Sequence, residues 1–153
     1  MSLLQRRGPL VVLMAVAAAA VLGAWSSPAA PPPTVTVYKS PSCGCCKAWM
    51  DHLQQNGFRV VGKDMDNVQP VKDDLGVPSS LGSCHTAVVD GYVLEGHVPA
   101  REVHRLLKER PKVIGLSVPG MPMGSPGMDG DRKDKYDVVA FDAKGRRTAF
   151  ASY

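Results

Sequence analysis

Residues 34–46 read Thr34-Val35-Thr36-Val37-Tyr38-Lys39-Ser40-Pro41-Ser42-Cys43-Gly44-Cys45-Cys46. The first five residues alternate and are rich in β-branched side chains, which is typical of a strand. Ser40-Pro41-Ser42 is a turn signal, and Ser42 is a candidate N-cap for the helix that follows. This stretch therefore predicts a strand, a turn and a helix that carries three cysteines in its first turn.

The remaining apolar and turn signals predict the rest of the fold. We expect a strand at 58–61, a short helix at 68–75, a strand at 87–89, a hairpin partner at 92–94 and a helix between Pro99 and Pro111. This order, β-α-β-α-β-β-α with cysteines after the first strand, indicates an α/β domain of the thioredoxin-like type. A Met-rich loop at 115–130 and a C-terminal β-hairpin, 136–142 with 146–150, lie outside that unit.

Length and composition predict a single folded domain without a nucleic-acid partner. A chain of 153 residues buries about two-thirds of its unfolded surface around one core. Hydrophobic residues make up 44% and charged residues 21%, as in ordinary globular proteins. Arg6 and Arg7 account for much of the net charge of +4, and the other lysines and arginines form no basic cluster in the sequence. This charge pattern argues against binding to nucleic acid.

The amino terminus has the pattern of an export signal. Two arginines precede an apolar run from Leu10 to Ala24, and small residues follow at 26–30. The run is shorter than the roughly 20 residues that a spanning helix needs. We therefore interpret residues 1–30 as a signal peptide, 31–33 as a Pro-rich spacer and 34–153 as the folded thioredoxin-like domain. The expected location is outside the cytoplasm.

The spacing of the four cysteines favours chemistry over structural crosslinking. Disulfides persist outside the cytoplasm, but every possible set of two disulfides here uses a bond within Cys43–Cys46. A loop that short restricts the unfolded chain very little. A helix start stabilises thiolates, which are both nucleophiles and metal ligands, and Lys39 and Lys47 lie close in sequence.

Two kinds of chemistry fit these thiols. Cys43 and Cys46 have the spacing of a redox pair, whereas a third thiol at Cys45 would interfere with disulfide exchange and favours a thiophilic metal. In a thioredoxin-like fold, the segment before the third strand lies against the cysteine helix, which predicts that Cys84 faces Cys43. The metal ligands we expect are Cys43, Cys45, Cys46 and Cys84, with His85 as a weaker candidate.

The other histidines and the methionines extend this hypothesis. Met121, Met123 and Met128 fall within nine residues, and thioethers suit Cu(I) rather than zinc, calcium or magnesium. Met121 and Met123 are therefore further candidate ligands, although methionines also fill gaps over a core. His97 is expected to cap or pack against the following helix, with metal ligation as the lesser alternative.

Four motifs stand in order along the chain. They are Tyr38-Lys39-Ser40-Pro41-Ser42-Cys43-Gly44-Cys45-Cys46, Ser83-Cys84-His85-Thr86-Ala87, Gly91-Tyr92-Val93-Leu94-Glu95-Gly96-His97-Val98-Pro99, and the Gly-, Pro- and Met-rich stretch 115–128. Together they closely resemble the CopG-type copper-resistance family, long catalogued as a domain of unknown function. The resemblance spans about residues 34–152. It implies a periplasmic thioredoxin-like domain, copper in a cysteine-bridged multinuclear cluster, and other periplasmic copper-handling or efflux proteins as partners.

Three functional hypotheses follow. The first is an exported protein that sequesters copper, principally Cu(I), through the Cys-x-Cys-Cys thiolates during copper resistance, with a Cu(I)/Cu(II) redox role open. Bridging thiolates explain the tight spacing, because one ion does not readily take ligands from both Cys45 and Cys46. The second is a thiol-disulfide oxidoreductase that uses Cys43 and Cys46, and no conventional enzyme is expected otherwise. The third is a zinc-stabilised module, against which the Met-rich loop argues.

Overall fold

The strand and helix that open the domain form where the sequence predicts them. The computed structural model describes residues 30–153, so the predicted signal peptide lies outside the described residues except for Ala30. Strand β1 (Thr34–Lys39) leads into helix α1 (Gly44–Gln55), which returns to the parallel strand β2 (Arg59–Asp64). Val35 and Val37 of β1 and Trp49 of α1 are fully buried, so the helix covers one face of the strand.

The described chain is a mixed α/β domain with three α-helices and one seven-stranded sheet. After β2 come α2 (Gln69–Asp74), a single 3-10 turn (Ser79–Leu81), β3 (Thr86–Val89), β4 (Tyr92–Glu95), α3 (Ala100–Glu109), β5 (Gly115–Ser117), β6 (Asp137–Phe141) and β7 (Arg147–Ser152). Up to α3, the order of helices and strands agrees with the predicted β-α-β-α-β-β-α. The predicted C-terminal hairpin is present as β6 and β7.

The sheet has the strand order β2-β1-β3-β4-β5-β6-β7. Strand β5 was not expected, because residues 115–117 were predicted to begin the long loop. It pairs in parallel with β4 and antiparallel with β6, and its central residue Leu116 is fully buried between them. Three residues are too few to show a strand period, so pairing with distant strands decides their conformation. As a result, the C-terminal hairpin continues the main sheet.

Two hydrogen bonds tie α1 to the segment that starts α3. The indole Nε1 of Trp49 donates to the carbonyl oxygen of Val98 at 2.9 Å. The backbone N–H of Ala100 donates to Nε2 of His52 at 3.1 Å, which satisfies an N–H at the start of α3. The helix that carries the cysteines is thereby fixed against the segment that follows β4.

Within residues 30–153, no helix combines the length and hydrophobicity needed to cross a bilayer.

Candidate metal centre

Three chain segments meet at one end of the sheet and form the candidate centre. In the register of β1 and β3, Tyr38 lies opposite Thr86, and in the register of β3 and β4, Thr86 lies opposite Glu95. The end of β1, the approach to β3 and the exit from β4 therefore lie side by side. These segments carry the cysteine cluster, Cys84 with His85, and His97.

Helix α1 begins one residue later than the sequence predicts, so the first cysteine of the cluster is the N-cap residue. Ser42 was expected at the N-cap, but Cys43 holds that position with extended backbone angles. The N–H of Cys43 is already used in a turn that ends on the carbonyl oxygen of Ser40, while its carbonyl accepts the N–H of Lys47. The first helical residue is therefore Gly44.

The two lysines near the cluster are paired with carboxylates. Nζ of Lys39 lies 2.6 Å from Oδ1 of Asp64, and Nζ of Lys47 lies 2.8 Å from Oδ2 of Asp51. Each carboxylate offsets the positive charge of its lysine. Stabilisation of a thiolate here therefore depends on the helix terminus and on any bound cation more than on these lysines.

All four cysteine sulfurs lie together. Cys43 and Cys46 are joined by a disulfide, while Cys45 and Cys84 are free thiols. The Sγ atom of Cys84 is 3.6 Å from that of Cys46 and 3.9 Å from that of Cys45. The four sulfurs lie within 4.8 Å of one another, so the structure brings Cys84 to the cluster as the fold argument predicts. In the disulfide state, however, Cys43 and Cys46 are not thiolates.

Two buried imidazoles lie on the other side of Cys84. Its Sγ is 3.3 Å from Nδ1 of His85 and 3.1 Å from Nε2 of His97. The Nδ1–H of His97 donates to the carbonyl oxygen of Pro126 at 2.7 Å. Since this bond holds the proton on Nδ1, the lone pair of Nε2 points at the sulfur.

His97 therefore has a different position from the one expected, because it faces Cys84 instead of capping α3. A sequence signal for this position exists. Continuing the hairpin register outward from Asp90-Gly91, past the pair Thr86 and Glu95, places Cys84 opposite His97. Counting residues from a predicted hairpin turn would have found the contact.

Burial controls protonation at this centre. It raises the pKa of Cys84 to about 12, and the neighbouring Cys45 adds to the effect. Burial also lowers the pKa of His97, and it lowers that of His85 far below its usual value, with further contributions from His97 and Lys72. Both imidazoles are therefore neutral at pH 7 and offer lone pairs. Among the described residues, Nε2 of His85 is buried without a hydrogen-bond partner.

A buried ion pair supports the segment that carries Cys84. Nζ of Lys72 donates to Oε1 of Glu95 and, at 2.8 Å, to Oγ1 of Thr86. The same carboxylate accepts the backbone N–H of Ser83 at 2.6 Å, directly before Cys84. Lys72 and Glu95 were not predicted as part of the centre, since no spacing typical of ligands links either residue to the cysteines.

The Met-rich loop contacts the cysteine helix through its backbone. One such contact is at Gly127, which has a φ of +83°, where an added Cβ would lie 2.7 Å from the backbone nitrogen of Trp49 and 2.9 Å from the carbonyl oxygen of Cys45. Met121 is 52% exposed, and the methyl group of Met123 lies beside Gly130. The contacts described here thus give no support for either methionine as a ligand.

We expect Gly127→Ala to displace this loop from α1. The variant combines left-handed backbone strain of about 1 kcal/mol with overpacking of about 1–3 kcal/mol. Gly120→Ala is the matched control, because Gly120 also has a positive φ but an added Cβ there meets no atom within 4 Å. Urea unfolding should show the larger loss for Gly127→Ala, and imidazole NMR should show a changed tautomer at His97. Equal losses with an unchanged tautomer would contradict this role for Gly127.

The chemistry of the donor set fits copper. Within residues 30–153, two overlapping groups of side chains, each with donor atoms within 4.8 Å of one another, are able to hold a metal ion: the four cysteines, and Cys84 with His85 and His97. Thiolates are soft ligands that suit Cu(I), and imidazole is a common copper ligand. Copper would be held by sulfurs at the helix start and by nitrogens behind them.

Known proteins resemble this chain in both sequence and structure. A family model described as a protein of unknown function, DUF411, matches residues 81–128. Two solved structures of the copper resistance protein CopG, Form 1 and Form 2, are each 48% identical to the chain with a TM-score of 0.76. In both cases the similarity covers 80% of this chain and 98% of the solved chain. None of the curated proteins matches the sequence.

The fold and the site together define a mixed α/β protein with a thiol-rich candidate metal centre. At 48% identity over nearly the whole of the solved chains, the protein belongs to the CopG copper-resistance family. The family resemblance seen in the sequence motifs is confirmed, and a role in copper resistance is supported.

Proposed function

We propose that this protein is exported and sequesters copper as Cu(I) at the centre formed by Cys43, Cys45, Cys46 and Cys84. The observation that carries the proposal is the convergence of four sulfurs within 4.8 Å of one another. Sulfurs this close are able to bridge several ions, since each thiolate is shared between neighbours. The proposal also retains His85, Met121 and Met123 as candidate ligands of this cluster.

The proposal extends to the rest of the chain. We infer that residues 1–30 act as a signal peptide and that 31–33 form a spacer before a periplasmic domain of thioredoxin-like type at 34–153. The parallel β1-α1-β2 unit, the antiparallel β3-β4 hairpin and the following α3 support that fold type. Other periplasmic copper-handling or efflux proteins are the partners that such a function implies.

The test is an anaerobic titration of fully reduced protein with Cu(I), followed by X-ray absorption spectroscopy. We expect more than one Cu(I) per chain, ligation dominated by sulfur, and a short copper-to-copper distance, because bridging thiolates bring the ions together. Retention of copper against a moderate chelator measures sequestration. A reduced protein that gives up its Cu(I) to that chelator would show that sequestration is not its function.

A second candidate function is thiol-disulfide exchange by Cys43 and Cys46, which the disulfide between them favours. In this alternative, metal-free protein reduces a disulfide substrate, with Cys43 as the nucleophile and Cys46 as the resolving thiol. Activity would disappear in Cys43→Ser and persist in both Cys45→Ser and Cys84→Ser. If copper sequestration is the function, Cys84→Ser should instead impair the protein by weakening its retention of Cu(I).

A further inference from the structure

Disulfide formation divides the donor atoms of the centre into two groups. When Cys43 and Cys46 are bonded to each other, their sulfurs no longer act as thiolate ligands. Cys84 remains a free thiol, and its Sγ lies 3.3 Å from Nδ1 of His85 and 3.1 Å from Nε2 of His97. The three donor atoms lie within 4.8 Å of one another without any contribution from the disulfide sulfurs.

We propose that Cys84, His85 and His97 form a mononuclear copper site of one sulfur and two nitrogens, which stays available while Cys43 and Cys46 are in a disulfide. This inference rests on the proposed copper-binding function and adds a second mode of binding to it. The reduced protein binds copper through clustered sulfurs, whereas the oxidised protein retains one ion at a mixed site.

The spacing of the three donors suits a single ion. Metal–nitrogen bonds of about 2.0–2.1 Å and metal–sulfur bonds of about 2.3 Å place trigonal ligands about 3.5–4 Å apart. The observed distances from Cys84 to the two nitrogens are slightly shorter than this. The ion therefore fits if the Sγ atom of Cys84 and the two nitrogens move apart by about half an ångström. One cysteine with two histidines in a trigonal arrangement is a ligand set that copper occupies in proteins.

The surroundings of the imidazoles also favour a ligand role. His85 and His97 are both fully buried. The hydrogen bond from Nδ1–H of His97 to the carbonyl of Pro126 orients the ring and leaves Nε2 facing Cys84. The ring of Trp49 lies 4.4 Å from that of His85, centroid to centroid, and restricts its rotation. Copper would therefore meet ligands that are already oriented, and the Pro126 carbonyl links the site to the Met-rich loop.

The test uses Cys45→Ser protein with the Cys43–Cys46 disulfide intact, so that Cys84 is the remaining free thiol. One equivalent of Cu(I) is added without oxygen, and X-ray absorption reports the ligands. We expect one copper per chain with one sulfur and two nitrogens. Adding His97→Gln should lower Cu(I) affinity about tenfold or more in a chelator competition. His104→Gln is the matched control, because His104 lies on α3, where it is bonded to the carbonyl of Asn56, and should leave affinity unchanged.

The outcomes separate this inference from the proposed function. If the oxidised Cys45→Ser protein binds no Cu(I), or binds it equally well with His97→Gln, the mononuclear site is refuted. Reduced wild-type protein is compared in parallel, and its retention of several Cu(I) ions would then leave the proposed cluster intact. Conversely, one copper with mixed ligands in the oxidised variant, together with no Cu(I) retention by reduced wild type, would uphold the site and refute the cluster.

Discussion

Cys84→Ser is expected to lower Cu(I) affinity by at least about 100-fold, the largest effect of any single substitution at the centre. Changes to residues that merely orient ligands cost about 10–100-fold, and Cys84 is the donor shared by both groups of potential ligands. Serine has nearly the same shape but offers a hard oxygen that Cu(I) binds poorly. The loss should therefore appear in both the reduced and the oxidised protein.

The measurement is a competition for Cu(I) against a chelator of known affinity, with copper content determined on the same samples. His104→Gln serves again as the control, since it lies away from the sulfurs. Circular dichroism should show that metal-free Cys84→Ser remains folded, because the residue is only partly buried and serine fits in its place. Tight Cu(I) retention by folded Cys84→Ser would contradict a central role for this sulfur.

Glu95→Gln is expected to lower the free energy of unfolding by about 3 kcal/mol, because it leaves the charge of Lys72 buried without a partner. The side chain of Glu95 is fully buried and that of Lys72 is 10% exposed, so water offers little compensation. Glutamine keeps the shape of glutamate and an oxygen that accepts the Ser83 N–H. The loss in free energy of unfolding is therefore caused by the missing charge and not by a cavity.

Urea unfolding at neutral pH measures this loss, and a double variant shows its cause. Lys72→Met with Glu95→Gln removes both charges, and should be less destabilised than Glu95→Gln alone. Asp90→Asn is the surface control, because the pair of Asp90 with Arg110 is more than half exposed on both sides and should contribute under about 1 kcal/mol. A cost for Glu95→Gln no greater than that of Asp90→Asn would refute this account of the buried pair.

Local patterns predicted most of the fold because its first part is built from clear signals. The β-branched alternation of residues 34–38 and the turn before the cysteines predicted β1 and α1, and Asp90-Gly91 predicted the β3-β4 hairpin. Strand β5 escaped prediction because its three residues become a strand through pairing with β4 and β6. The same pairing places the C-terminal hairpin in the main sheet, which no local pattern indicates.

The candidate centre was predictable where chemistry and spacing coincide along the chain. Cys43, Cys45 and Cys46 stand out by their proximity in sequence, and Cys84 follows from the expected arrangement of strands. His97 was assigned to capping or packing against the following helix, because its partner Cys84 is 13 residues away and no local pattern links the two. The two methionines drew attention by composition, but the loop meets His97 through the carbonyl of Pro126 and meets α1 at Gly127.

The sequence by itself determined the family, the strand and helix around the cysteine motif, and a set of soft ligands suited to copper. These properties depend on residue types and short spacings, which are fixed along the chain. Tertiary structure alone decided that His85 and His97 are both buried beside Cys84, that Lys72 and Glu95 form a buried pair bonded to the segment before it, and that a glycine of the Met-rich loop touches the cysteine helix. Such contacts depend on strand register and burial, because both bring together residues that no local pattern links.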